Sequence, residues 1–156
     1  MPVKKLKAFL DSQDVKYVTL SHSRAFTAQE IAAAAHIPGR KLAKTVMAWV
    51  DGRMAMVVLP ASHHVDFAEL ASAIDADEID LATEREFKDL FPECEVGAMP
   101  PFGNLYDMDV YVAERLAHDG EIAFNAGTHT ELIQMSYRDF ERLVQPKVVR
   151  FAALAY

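Results

Sequence analysis

The dipeptide Asp51-Gly52 constrains this chain more than any other feature, because it stands between two apolar runs, Leu42–Val50 and Met54–Leu59. A two-residue hairpin needs positive φ at its central positions, and Asp-Gly meets that need cheaply, so the runs read as adjacent antiparallel strands. Around the hairpin, helix and strand signals interleave. Val3, Leu6, Phe9 and Leu10 fall on one helical face with Lys4, Lys5 and Lys7 outside it, and Val15–Leu20 reads as a short strand. Thr27-Ala28-Gln29-Glu30 has capping-box spacing and opens an alanine-rich helix that stops before Pro38-Gly39. Asp66 with Glu69, Thr83 with Glu86, and Ser136 with Asp139 mark three more helix starts, and Met108–Val112, Glu121–Asn125 and Glu131–Met135 read as strands. A hairpin inside an interleaved pattern predicts an α/β chain of the α+β type, with a mixed, partly antiparallel central sheet surrounded by helices.

At 156 residues, with no repeat, low-complexity tract or linker, the chain is expected to form a single domain over residues 1–156. Its one cysteine, Cys94, excludes an internal disulfide and suits a reducing compartment. No apolar run matches a signal peptide or a membrane span, so a cytoplasmic protein without a membrane partner is expected. A net charge of −7 argues against coating long stretches of nucleic acid. It permits gripping a nucleic-acid end through local cations, which cluster at Lys4, Lys5 and Lys7, at Arg40, Lys41 and Lys44, and at Lys147 and Arg150; the first and last of these clusters read as solvated faces. The sequence carries no glycine-rich phosphate loop and no G-x-S-x-G elbow.

Three places can carry chemistry. In Gly97-Ala98-Met99-Pro100-Pro101-Phe102-Gly103, two glycines bracket a double proline and an aromatic that reads as exposed. Such a loop is rigid, and the amides of Gly97, Ala98, Met99, Phe102 and Gly103 can be aimed at a ligand; the alternative is an ordinary tight turn. Lys44 shares a strand face with Val46, Ala48 and Val50. It must snorkel out, pair with a carboxylate, or face a cleft that receives an anion. His129 follows Gly127-Thr128 in a small-residue turn, as a solvated turn histidine or as a group reaching a cleft. The remaining histidines (His22, His36, His63, His64 and His118) lack zinc-pair spacing, and no metal or other cofactor is expected. Cys94 reads as a small buried thiol, and Asp75 to Asp80 as a charged surface.

Taken in order, Lys44-Thr45, the Gly97–Gly103 loop and Gly127-Thr128-His129 resemble the YbaK and prolyl-tRNA-synthetase-associated editing domain family. The family's G-x-x-x-P loop matches Gly97 to Pro101, and its invariant lysine matches Lys44. The resemblance implies a YbaK-like editing-domain fold from about His22 to the last helix. It also implies a trans-editing hydrolase that removes a small amino acid from mischarged aminoacyl-tRNA, of tRNA(Pro) in the expected case, with water activated by the terminal ribose hydroxyl. Lys44 would bind the terminal phosphate or orient the acceptor end, the amides near Gly97 and Ala98 would hold the carbonyl and the amino acid's backbone, and His129 would contact the ribose or the α-amino group. Met99 and Phe102 would shape the pocket, with Thr45, Pro101, Gly103 and Gly127 also substrate-binding. The implied partners are the acceptor end of aminoacyl-tRNA and a synthetase or elongation factor. Two rival readings stand beside this one: a non-catalytic aminoacyl-binding module of the same fold, and a metal-dependent hydrolase using scattered histidines.

Overall fold

The computed structural model describes residues 3–25, 27–118 and 120–154. A first helix, α1 (Lys4–Ser12), leads into strand β1 (Tyr17–Ser21) and helix α2 (Ala28–Ala35). The hairpin follows as β2 (Leu42–Val50) and β3 (Arg53–Pro60), then β4 (His63–Val65), α3 (Phe67–Ile74), β5 (Ile79–Leu81) and α4 (Glu84–Phe87). The Gly97–Gly103 loop leads to β6 (Asp109–Ala113), α5 (Glu114–Ala117), β7 (Glu121–Asn125) and β8 (Glu131–Ser136). Helix α6 (Tyr137–Val144) and the short strands β9 (Lys147–Val149) and β10 (Ala152–Leu154) complete the described elements.

An eight-stranded sheet runs in the order β1-β8-β7-β2-β3-β6-β9, with β5 also paired to β2, while β10 and β4 form a separate pair. β2 with β3, β7 with β8, β1 with β8 and β2 with β5 are antiparallel; β2 with β7, β3 with β6 and β6 with β9 are parallel. The sheet is therefore mixed, as the central hairpin predicts. Asp51 (φ 47°) and Gly52 (φ 84°) both take the left-handed angles that such a turn requires.

Local caps act where the residue spacing places them. Thr27 and Thr83 each complete a capping box, with Glu30 and Glu86, and the side chains of Asp66 and Ser136 accept from the amides of Glu69 and Asp139. Four three-residue strands, β4, β5, β9 and β10, go beyond the sequence expectation, because three residues carry too little alternation to be read. β5 even lies in the acidic stretch expected to be plain surface. Its approach is fixed by the turn: the Asp51 carboxylate accepts the amides of Asp77 (2.9 Å) and Glu78 (2.8 Å), and the Asp51 amide donates to Glu78 O at 2.9 Å.

Side chains of β2 alternate between two cores. Ala43 and Met47 pack with α1, α6 and the loop residues Met99 and Phe102. Leu42, Val46 and Ala48 face the other way, toward α2 and α3.

Candidate active site

The sheet has an opening beside β2. β7 pairs with β2 only at Leu42–Ala123 and Ala43–Phe124, and β5 joins the same edge only from Ala48 onward. The Met47 carbonyl is taken by the Ala82 amide at 3.0 Å. Thr45 lies between these two neighbours. Ala61 N–H donates to Leu42 O across the hairpin, which makes Lys44–Leu59 a hydrogen-bonded pair and Thr45–Val58 a non-hydrogen-bonded one. The Thr45 amide and carbonyl therefore point away from β3 and into the opening.

The far border of the opening is the turn after β7, and the Gly97–Gly103 loop is tied to it. Gly127 N–H donates to Ala98 O at 2.9 Å, Glu95 N–H to Gly127 O at 2.8 Å, and His129 Nε2–H to Val96 O at 2.8 Å. The same Glu95 carboxylate takes Arg24 Nη2 at 2.7 Å and lies 3.9 Å from His129 Nε2. His129 is 6% exposed, which removes the solvated-turn alternative. Gly97 has φ 86° and Gly127 φ 102°, angles that favour glycine. A Cβ on Gly97 would sit 3.7 Å from the His129 ring, whereas one on Gly127 would run into Val3 Cγ2.

Of the loop amides, Ala98 N–H is spent on Glu95 O (3.0 Å) and Phe102 N–H on Pro100 O (2.8 Å). Those of Gly97, Met99 and Gly103 have no hydrogen-bond partner among the described residues. The exposed aromatic expected in this loop is a correction: Phe102 is fully buried. Its ring packs against Phe124 (5.3 Å), Phe140 (5.5 Å) and Phe9 (6.2 Å), an anchor for the loop rather than a surface. Ala98, Met99, Pro100 and Pro101 are buried as well.

The structure joins Gly97, Ala98, Gly127 and His129 by direct contacts, and it sets Lys44 apart from them. Lys44 projects from the face of Leu42 and Val46, opposite the face where Met99 and Phe102 pack. Only the sheet opening connects the two. Lys44 is half-buried without an ion-pair partner among the described residues, and burial holds its ammonium below the ordinary lysine value. Its neighbour in register is Asn125, one step beyond the last β2–β7 pair. No local signal in the sequence singles out Asn125, yet its Oδ1 is buried with no hydrogen-bond partner, as is Nε2 of His22.

Cys94 is partly buried, 3.9 Å from Tyr106 Oη, and desolvation pushes its thiol up, away from nucleophilic reactivity. Among the described residues no three His, Cys, Asp or Glu side chains come together in a way that could hold a metal ion, and no helix is long and apolar enough to cross a membrane. Three surface clefts lie elsewhere, none lined by Lys44, the loop or His129.

A mixed sheet with an opening beside a half-buried lysine, and a glycine–proline loop tied to the turn after β7, make up the candidate site. The aminoacyl-tRNA editing domain family matches this chain over residues 22–143, and the chain belongs to that family. The resemblance carried by Lys44, the loop and the His129 turn points to the same place. The multifunctional Ser/Thr-tRNA deacylase ProXp-y of Escherichia coli (strain K12) is 33% identical over 102 residues, which cover 64% of this chain and 60% of that protein. A proline–tRNA ligase of Bacillus mycoides (strain KBAB4) is 27% identical over 89 residues, 57% of this chain and 16% of the ligase. Among solved structures, hypothetical protein APE2540 superposes with a TM-score of 0.85 at 18% identity, covering 96% of this chain and 100% of that one. A candidate trans-editing enzyme for prolyl tRNA synthetase gives 0.81 at 19%, covering 97% and 96%. These likenesses establish the editing-domain fold.

Proposed function

We propose that this protein is a trans-editing aminoacyl-tRNA deacylase, acting on the ester of a small amino acid mischarged to tRNA, with tRNA(Pro) as the first tRNA to test. The observation that carries this reading is the sheet opening, with Lys44 and the Thr45 backbone on one border and, on the other, the turn after β7 to which the Gly97–Gly103 loop is tied. An aminoacyl ester is already activated, so hydrolysis needs a held carbonyl, a placed water and a stabilised oxyanion rather than a protein nucleophile. Lys44 binds the phosphate of the terminal nucleotide as a compact cation. The amides of Gly97 and Met99 receive the oxyanion as water adds to the carbonyl carbon. Collapse of the tetrahedral intermediate breaks the bond to the ribose oxygen, which leaves with a proton as the amino acid is freed. The terminal ribose hydroxyl of the tRNA serves as the relay for the proton of the attacking water. His129 keeps the loop in position through Val96.

The need for such an enzyme follows from the weak discrimination between small side chains, about 1–3 kcal/mol per methylene in a synthetase pocket. The relative ProXp-y is named for seryl and threonyl esters, which places those beside alanyl and cysteinyl esters in the test panel. Incubation of the protein with these four mischarged tRNAs is expected to release one or more amino acids well above the buffer rate. Binding without turnover on any of the four would replace the enzyme with an amino-acid-sensing module.

A further inference from the structure

We propose that Arg115 and Arg150 form a phosphate-binding track for the double-stranded stem of the RNA whose 3′ end enters the opening at Lys44. This extends the deacylase reading from the reacting end to the body of the substrate. Arg115 on α5 and Arg150, just after β9, line one cleft of about 350 Å³ with His118, Glu114 and Phe151. Neither arginine is ion-paired among the described residues; the one carboxylate lining the cleft, Glu114, lies 3.9 Å from His118. Two unpaired guanidinium groups sharing a groove on a chain of net charge −7 are a local reversal of the overall field.

Ala113 in the cleft ends β6, and β6 pairs with β3, the strand whose Leu59 lies opposite Lys44. Val149 pairs with Ala113, and Ala152 and Leu154 pair with Val65 and His63, so Arg150 lies between the β6–β9 and β10–β4 ladders. His64 on β4 is exposed and His63 buried, and Asp66, the acidic neighbour here, has its carboxylate on the Glu69 amide at the head of α3. The buried His63 ring is held below the ordinary histidine value by desolvation first, then by the charges of Arg115, Lys44 and His64. Cations from three separated chain segments, Lys44, Arg115 and Arg150, thus gather around His63 and the cleft. The arginines are unpaired, and Phe151 in their cleft is fully buried and offers no face for stacking, which suits phosphates rather than bases.

The test is fluorescence anisotropy with an uncharged RNA hairpin that copies an acceptor stem with its single-stranded 3′ end, titrated from about 50 to about 200 mM salt. The double variant Arg115→Gln/Arg150→Gln, confirmed as folded by its melting curve, is expected to bind at least about tenfold more weakly at low salt. Its log–log salt slope should be shallower by about 2, one for each lost phosphate contact. Lys88→Gln, which removes an exposed cation elsewhere, should leave both quantities unchanged. An unaltered slope in the double variant, or equal loss in Lys88→Gln, would overturn the track. If wild-type protein binds the hairpin with the expected slope yet deacylates no charged tRNA, the track stands and the enzymatic reading falls. Turnover that is insensitive to both arginines, with no hairpin binding, removes the track and leaves the deacylase standing.

Discussion

The two borders of the sheet opening are built on opposite principles. On the loop side the bracing contacts are committed, His129 to Val96, Gly127 to Ala98, Glu95 to Arg24, with Phe102 locked among three other aromatic rings, while the amides of Gly97, Met99 and Gly103 have no partner among the described residues. On the β2 side Lys44 is half-buried, desolvated and without an ion pair, and the Thr45 backbone points into the gap. A wall stabilises the fold and places a few amides; an uncompensated cation costs stability, and the proposed deacylase reading gives that cost its reason, the binding of an anionic end. Substitutions on the first border should therefore act through stability, and on the second through turnover.

The largest effect tests that division at Lys44. Lys44→Ala is expected to slow deacylation at least about 100-fold, the scale seen when one electrostatic contact to the reacting end is lost, with an unchanged or higher melting temperature. A lower melting temperature with normal turnover would reverse the roles of the borders. Next comes Gly127→Ala, which combines a positive φ with a collision at Val3, for an expected loss of about 1–3 kcal/mol in denaturant unfolding. His129→Ala should cost about 1–2 kcal/mol by removing the tie to Val96, with turnover falling in step with loop order rather than to zero.

A smaller effect sharpens the contrast through pH. The folded protein holds the Lys44 pKa below its unfolded value, so the charged form opposes folding below the folded pKa. That penalty is relieved as pH rises through the folded value. Lys44→Met should therefore raise the melting temperature most near neutral pH, with a gain that shrinks in alkaline buffer. The smallest effect belongs to Cys94→Ser, expected to keep turnover within about twofold, because burial keeps the thiol protonated and the chemistry does not use it.

Much of this fold can be read from short-range rules. Asp51-Gly52 sets the hairpin, and the residues three apart in Thr27–Glu30 and Thr83–Glu86 close their capping boxes, because a turn or a cap is a contact between near neighbours. Phe102 escapes those rules: in a proline-rich loop no period says which way a ring points, and only its packing against Phe9, Phe124 and Phe140 decides. The site divides the same way. Lys44, Gly97 and His129 stand out by residue type and setting. The Arg24–Glu95 pair that braces the loop and the register that brings Asn125 beside Lys44 are long-range pairings that no local spacing encodes. The opening itself exists because β7 stops pairing with β2 after Ala43 and β5 starts at Ala48, a property of three strands together.

The most direct measurement is a crystal structure with a non-hydrolysable 3′-amide analogue of seryl-adenosine 5′-phosphate. The amide group is expected within the opening, its carbonyl oxygen in hydrogen-bond reach of the Gly97 or Met99 N–H, and the nucleotide on the Lys44 side. An analogue seated in another cleft, with Lys44 and the loop untouched, would contradict this assignment of the site.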